Sequence, residues 1–175
     1  MSKILVVYQS KYGATQKYAQ WLSEELSCDF IEIKKVIISK IEKYDTVIVG
    51  SGIYETGLAA LSFLSKNYQL LKHKTIVLFA VGASPNTEST LFDIKNRILK
   101  NTLPNIPFYY LRGTWNENKM SLKDKTLCKM LKKVLSKKDP INYEPWQSAL
   151  VQSVGTYQDW TKKENINPII EFLNK

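Results

Sequence analysis

The 175-residue sequence has few of the residues that hold metals or disulfides. Its two cysteines, Cys28 and Cys128, lie far apart and outside any Cys-x-x-Cys spacing. We therefore expect neither a disulfide framework nor a zinc site. The single histidine, His73, has no nucleophile or metal ligand near it in sequence, which predicts a structural or solvated residue in a surface turn.

Long hydrophobic runs are also missing. No apolar stretch approaches the roughly 20 residues that a membrane-spanning helix requires. The start, Met1-Ser2-Lys3, lacks the layout of a secretory signal, so a cytoplasmic protein is expected. A chain of this length, 44% hydrophobic and 23% charged, suits a single globular domain over residues 1–175.

The opening stretch carries the most specific pattern. The apolar run Ile4–Tyr8 predicts a buried strand, and a short polar turn then leads into an amphipathic helix. Such a turn aims free backbone N–H groups and the positive end of the helix dipole at one point, where a phosphate can bind. Ser10 and Thr15 can add hydroxyl groups and Lys11 a charge, while Gly13 lets the backbone approach closely. The alternative is an ordinary strand–helix turn in which Thr15 only caps the helix.

Four further strands alternate with helical segments. The half-exposed run 29–33 suits an edge strand, and the apolar runs 46–50 and 75–82 suit central strands. The fifth strand is predicted at 107–113. Helices are predicted near 58–64, 89–99 and 164–173, with Pro104 and Pro107 bracketing the exit from the second of these. This alternation predicts an α/β fold with a parallel sheet in the order 2-1-3-4-5, covered on both faces.

The opening motif resembles the flavodoxin signature. The matching positions are Val6, Val7, Tyr8, Ser10, Gly13, Thr15, Ala19 and Leu22. The resemblance to flavodoxin-like FMN proteins implies a three-layer α/β/α sandwich with a five-stranded parallel sheet and an FMN phosphate site at the first turn. A P-loop would need Gly-Lys-Ser/Thr, and a dinucleotide turn would need G-x-G-x-x-G; neither is present, so mononucleotide flavin is favoured.

In such a sheet the ligand lies beyond the carboxyl ends of the strands. Loops 10–15, 51–56 and 82–87 would line that crevice. Tyr54 can stack on the flavin ring, and Tyr12 and Trp115 are further aromatics that could cover it. The predicted cofactor contacts are Ser10, Lys11, Tyr12, Gly13, Ala14, Thr15, Ser51, Gly52, Ile53, Tyr54, Val81, Gly82, Ala83 and Ser84.

The net charge of +9 is concentrated in one segment. Residues 119–138 hold eight lysines and one acid, Asp124, so this stretch supplies +7 of the total. A helix is predicted from Leu122, with Ser121 as its N-cap and Pro140 stopping its continuation. Its apolar residues, Leu127, Met130, Leu131, Val134 and Leu135, are predicted to share one face, with lysines on the other.

Such a basic amphipathic helix can lie on an anionic membrane, bind an acidic partner or simply cover the sheet. Nucleic-acid binding is not expected, because there is no recognised module and little arginine. The basic helix belongs to an excursion at about 114–163, between the fifth strand and the last helix. Residues 140–161 are predicted to be irregular and packed by aromatics.

Within the flavodoxin-domain group, the chain is most similar to the quinone-dependent protoporphyrinogen oxidases. The points of likeness are the opening motif, the strand from Tyr44 to Gly50 with Gly52 and Ile53 after it, Arg112, the lysine-rich helix, and the closing Tyr157, Asp159 and Trp160. This likeness implies that FMN takes electrons from protoporphyrinogen, in heme biosynthesis, and passes them to a quinone, with peripheral membrane contact through helix 121–138.

Three functional classes stay open: an FMN oxidoreductase, an electron-transfer carrier without its own substrate, and a non-enzymatic binding module. Carrier flavodoxins are usually acidic, which a net charge of +9 opposes. Because FMN itself would do the redox chemistry, no side chain is demanded as acid or base, and no catalytic residue or oligomeric state is predicted.

Overall fold

The computed structural model describes residues 3–54, 57–99 and 106–175. The strands are β1 (Ile4–Gln9), β2 (Asp29–Glu32), β3 (Thr46–Tyr54), β4 (Gly57–Leu58), β5 (Thr75–Gly82), β6 (Phe108–Arg112), β7 (Thr114–Asn116) and β8 (Tyr157–Asp159). The helices are α1 (Ala14–Leu26), α2 (Ala59–Leu71), α3 (Glu88–Ile94), α4 (Leu122–Leu135), α5 (Pro145–Ser153) and α6 (Asn167–Leu173).

Five parallel strands form the main sheet in the order β2-β1-β3-β5-β6. Numbered among the parallel strands alone, this is the predicted order 2-1-3-4-5, so the α/β flavodoxin-like fold is confirmed. The two-residue strand β4 adds to the sheet by pairing antiparallel with the end of β3. In this arrangement the carboxyl ends of β1, β3 and β5 lie side by side, since these three strands are neighbours.

The alternation of side chains along the strands builds two hydrophobic layers. Val7, Val49 and Leu78 face one side, where they pack with α2 and α3, while Val6, Ile48 and Val77 face the other, where α1 and α6 pack. Because both faces are covered, the central strands are apolar throughout rather than alternating.

The segment Ser51–Tyr54 continues a strand, although the sequence predicted a loop there. Ser51 pairs with Gln9 on one side and Ala80 on the other, so the sheet extends the strand past the apolar run that ends at Gly50. The predicted loop positions Glu55 and Thr56 lie outside the described residues. Helix α2 also runs to Leu71 rather than ending near Leu64.

Two other predicted helices are divided. The segment predicted as one helix over 89–99 is α3 followed by a π-helical turn at Lys95–Leu99. The last helix begins as a 3₁₀ turn at Lys163–Ile166 and continues as α6. Pro104, predicted to bracket the exit from α3, lies outside the described residues.

Residues 140–161 are more regular than predicted, since they contain α5 and β8. Strand β8 pairs antiparallel with β7 to form a small ribbon beyond the main sheet. Trp115, Leu135 and Leu150 are buried beneath α4 and α5, with Tyr143, Trp146 and Trp160 packed against them. The predicted aromatic packing is therefore present, but the irregular backbone is not.

Helix α4 does not place all its apolar residues on one face as predicted. Leu131 and Leu135 pack inward and Leu127 is half-buried, whereas Met130 and Val134 are exposed. Ser121 caps the helix as predicted, because its hydroxyl accepts the Asp124 N–H at 3.1 Å. Within the ranges that the structure covers, every helix is too short or too polar to span a bilayer.

Candidate functional site

The turn between β1 and α1 leaves the start of the helix without a side-chain cap. Gly13 occupies the N-cap position, and the first helical hydrogen bond runs from the Lys17 N–H to the Gly13 carbonyl at 3.0 Å. The N–H groups of Ala14, Thr15 and Gln16 therefore have no helical acceptor. Thr15 is buried at the second helical position, so the alternative in which it caps the helix is wrong. An anion can instead satisfy these N–H groups.

Gly13 is required by the shape of this turn. Its φ of 99° lies in the left-handed region that a residue with a Cβ rarely adopts. The Gly13 N–H donates to the Ser10 hydroxyl at 3.0 Å, which closes the turn on itself. Ser10 therefore stabilises the turn through its side chain.

Four polar or charged side chains meet at the outer side of the turn. The Lys11 ammonium pairs with the Asp124 carboxylate from the first turn of α4, and the Tyr12 hydroxyl also donates to Asp124. The Lys11 N–H donates to the Tyr54 hydroxyl at 3.1 Å, and the Tyr12 and Tyr54 rings meet edge to face at 5.9 Å. Lys11 Nζ lies 5.4 Å and 5.6 Å from the two ring centroids. We call Lys11, Tyr12, Tyr54 and Asp124 the turn cluster.

The end of β3 contributes backbone and one aromatic ring. The Ser51 hydroxyl accepts the Ala60 N–H at 3.0 Å, so it supports the start of α2 and offers a ligand only its backbone. The Tyr54 phenol folds back over Gly52, where a Cβ would collide with it. Burial raises the pKa of the Tyr54 phenol, which keeps it protonated at neutral pH.

The end of β5 is held in place by residues of β6. The Tyr110 hydroxyl donates to the Ser84 carbonyl at 2.8 Å, and Arg112 Nε donates to the Ala83 carbonyl at 3.1 Å. A Cβ on Gly82 would lie 2.8 Å from the Tyr110 hydroxyl oxygen, so Gly82 makes room for this phenol. These contacts fix the loop after β5.

Arg112 also joins the ribbon of β7 and β8 to the main sheet. Its guanidinium carbon lies 4.0 Å from the centroid of the Trp160 ring, and the Trp160 N–H donates to the Gly113 carbonyl at 3.1 Å. Burial lowers the pKa of Arg112, although an arginine stays charged at any physiological pH. The positive charge therefore lies at the carboxyl edge of the sheet.

A cavity of about 220 Å³ opens between the start of α1 and the ribbon. Lys17 lies in its wall and is held by Asp159 at 3.3 Å and by the Thr161 hydroxyl at 2.7 Å. The lining residues are Tyr12, Gly13, Ala14, Lys17, Thr114, Asn116, Lys119, Tyr157 and Asp159. Pockets that enclose a whole small-molecule ligand occupy roughly 300–1,000 Å³, so this cavity suits a phosphoryl group rather than a complete flavin.

A larger cleft of about 650 Å³ lies between α3 and α5. Its lining includes Glu88, Phe92, Asp93 and Glu144, and none of the predicted cofactor contacts. The chemistry at the turn, rather than cavity size, therefore identifies the candidate site.

The structure brings the side chains of Lys11, Tyr12 and Tyr54 together where β1 and β3 end. It separates Trp115, which is buried under α4 and α5 and cannot cover a ring at the turn. Val81 is a core residue of β5. Sequence reasoning missed Asp124 and Tyr110 as parts of the site. Asp124 is 112 positions from Tyr12, and nothing in the local pattern of α4 indicates where its carboxylate lies.

Several solved structures are similar to this chain at low sequence identity. A candidate flavoprotein from Bacteroides eggerthii is 23% identical, with 63% of this chain and 86% of that chain covered and a TM-score of 0.44. The Trp repressor binding protein of Bacillus subtilis is 21% identical over 63% and 83% of the two chains, with a TM-score of 0.42. A flavodoxin from the domain Archaea is 12% identical over 87% and 96%, with a TM-score of 0.43.

These TM-scores are below 0.5, so the structural likenesses do not themselves assign the chain to a family. No protein of curated function matches the sequence. The family model of the flavodoxin domain matches residues 5–142, a range that includes turn 10–15, nearly all of the five parallel strands and helix α4. The chain therefore belongs to the flavodoxin domain family.

Proposed function

We propose that the protein binds FMN and acts as a redox flavoprotein, with the flavin phosphate held at turn 10–15. The observation that carries this proposal is the uncapped start of α1, where Gly13 and Ala14 line a cavity of phosphoryl size. Lys17 adds positive charge in the wall of that cavity, and Lys11 adds another on the turn itself. This donor set fits a phosphate dianion.

Different residues of the chain would bind the phosphate and the flavin ring. The N–H groups at the start of α1 and the Lys11 ammonium would hold the phosphate, while Tyr54 and the backbone of residues 82–84 would orient the ring. The bound flavin supplies the redox chemistry. Ser10 and Gly13 keep the turn in the shape that exposes its N–H groups.

A titration followed by flavin fluorescence tests this proposal. We expect the protein to quench FMN and to bind it roughly tenfold or more tightly than riboflavin, because riboflavin lacks the phosphate that the helix start and the lysines would hold. Lys66→Met on α2 is a matched control, since it removes a lysine away from the turn, and it should leave both affinities unchanged. A protein that leaves FMN fluorescence unchanged would contradict the proposal.

The outer face of α4 supports a more specific function. Leu122, Met130 and Val134 follow one ridge of the helix and are 84%, 56% and 61% exposed. Exposed lysines at 123, 129 and 133 flank this ridge. An apolar ridge between lysines suits the surface of an anionic bilayer. We therefore propose a peripheral position at the inner face of the cytoplasmic membrane, with a membrane quinone as electron acceptor and protoporphyrinogen as candidate substrate.

Liposome flotation tests the membrane contact. We expect the protein to float with vesicles rich in phosphatidylglycerol and not with pure phosphatidylcholine vesicles, and the bound fraction should fall as salt rises. Met130→Ser with Val134→Ser should reduce flotation severalfold, since both side chains would leave the apolar phase. Ile37→Ser, which removes an exposed apolar residue outside α4, should not. Equal flotation of all three proteins would exclude α4 as the contact.

An assay of protoporphyrinogen oxidation then distinguishes a quinone-dependent oxidase from an electron-transfer carrier. A quinone-dependent enzyme should oxidise protoporphyrinogen only when a quinone is present. A carrier should instead show two separate one-electron potentials and accept electrons from a reductase without turning over a substrate. The basic charge of α4 favours the first outcome, because a lysine-rich face suits an anionic membrane better than it suits a reductase that recognises acidic flavodoxins.

A further inference from the structure

Two groups that turn 10–15 would offer a phosphate from its outer side already have partners within the chain. The Lys11 N–H is held by the Tyr54 hydroxyl at 3.1 Å, and the Lys11 ammonium by the Asp124 carboxylate. Both partners present oxygen to nitrogen, as a phosphate would. They come from two separate elements, β3 and α4.

The Asp124 carboxylate is well placed to compete with an anion. Its side chain is only 14% exposed, and the Tyr12 hydroxyl fixes it against the turn. A carboxylate in this position neutralises Lys11 and also repels a second negative charge nearby. Both effects weaken phosphate binding.

The Tyr54 phenol has a similar effect on the backbone. It lies over Gly52 because that residue has no Cβ, and from there its oxygen reaches the Lys11 N–H. While this hydrogen bond exists, the Lys11 N–H is not available to a ligand.

We propose that Asp124 and Tyr54 are internal competitors of the flavin phosphate, and that phosphate binds by exchanging for their oxygens at Lys11. This inference rests on the proposed FMN site and adds the residues that limit its affinity. It assigns Asp124, a residue of the basic helix, a direct effect on the cofactor turn.

Two substitutions remove the competing groups while keeping the side-chain shapes. Asp124→Asn removes the charge but can still accept from the Tyr12 hydroxyl, and Tyr54→Phe keeps the ring but loses its oxygen. We expect Asp124→Asn to strengthen FMN binding roughly three- to tenfold. Tyr54→Phe should strengthen it by about fivefold, since one hydrogen bond no longer has to be exchanged. Riboflavin affinity should not change in either variant, because the competition concerns only the phosphate.

Two control substitutions test whether these changes in FMN affinity are specific to Asp124 and Tyr54. Asp93→Asn removes a carboxylate that pairs with Arg97 on α3, and Tyr143→Phe removes a hydroxyl that donates to the Leu135 carbonyl. Neither should alter FMN affinity. When Lys11 is also replaced by Met, Asp124→Asn should raise FMN affinity by a smaller factor, because Asp124 and the phosphate compete mostly for the Lys11 ammonium.

Inorganic phosphate distinguishes failure of this inference from failure of the FMN proposal. Phosphate should raise the Tm of Asp124→Asn more than that of the original protein, and it should shift the Lys11 amide resonance, whether or not a flavin binds. Loss of FMN and riboflavin affinity together in Asp124→Asn would show a purely structural role and overturn the inference. Unchanged FMN and phosphate binding in both variants would overturn it as well.

Discussion

Gly50 and Gly52 make room for aromatic rings within the sheet. A Cβ on Gly50 would collide with the Phe79 ring, and a Cβ on Gly52 with the Tyr54 phenol. Neither glycine has a positive φ among the backbone angles of the described residues. The two positions therefore require glycine for space rather than for backbone freedom.

Gly50→Ala should destabilise the protein by about 1–3 kcal/mol, since the Phe79 ring is fully buried and cannot move away. The midpoint of urea unfolding measures this cost. Adding Phe79→Leu should restore part of the lost free energy, so that the double variant is more stable than the sum of the single changes. An unchanged midpoint in Gly50→Ala would show that the ring relocates freely.

Among single residues, those of turn 10–15 could be predicted from the sequence, whereas the contacts of Asp124 and Tyr54 with that turn could not. Ser10, Lys11 and Gly13 are adjacent in the chain, so their spacing defines the turn. Asp124 reaches the same turn only through the packing of α4, and the contact of Tyr54 with Lys11 depends on an extended strand that the sequence does not indicate.

Among the elements, strands with continuous apolar runs could be predicted and short exposed elements could not. β1, β3 and β5 stand out because both of their faces are buried. β8 is exposed along its whole length, so its three residues show no hydrophobic pattern. Its existence depends on pairing with β7, which brings together residues more than forty positions apart.

The ribbon of β7 and β8 is attached to α1 through Lys17 and Asp159. Burial alone would raise the pKa of the Asp159 carboxyl, but the hydrogen bonds from Thr161 and the charge of Lys17 outweigh it, so this pKa is lowered. A carboxyl whose pKa is lowered in the folded state stabilises the protein above its ordinary pKa, near pH 4, and loses that contribution as pH falls through the lowered value.

Asp159→Asn should cost less than about 1 kcal/mol at pH 7, because the pair is partly exposed. The difference in unfolding free energy between the two proteins should narrow below about pH 4, where the original carboxyl also becomes neutral. Urea unfolding at pH 7, 5 and 3 measures the difference. If the difference in unfolding free energy between the two proteins is the same at pH 7, 5 and 3, Asp159 contributes no titrating interaction.

Over the whole molecule, the hydrophobic core is unevenly distributed. The two faces of the main sheet bury continuous layers of side chains, whereas the hydrophobic cluster beneath α4 and α5 has three buried members among the described residues, Trp115, Leu135 and Leu150. A region with so little buried apolar surface opens at a lower free energy than the sheet.

Hydrogen exchange should therefore be faster in α4 and α5 than in β3 and β5. We expect amide protons of residues 122–135 and 145–153 to exchange through local opening, while those of the central strands require global unfolding. Mass spectrometry of peptides after timed exchange can compare these segments. Equal protection in both regions would mean that α4 and α5 unfold only together with the sheet.

Helix α4 has two surfaces available for binding, one at each side. The first turn of α4 contacts turn 10–15 through Asp124, while the ridge of Leu122, Met130 and Val134 faces away from the protein. If FMN displaces Asp124 and a bilayer binds that ridge, any change that one ligand makes in the position of α4 is also felt by the other. Thermodynamic reciprocity then requires equal factors: lipid must alter the affinity for FMN by the same ratio as FMN alters the affinity for lipid.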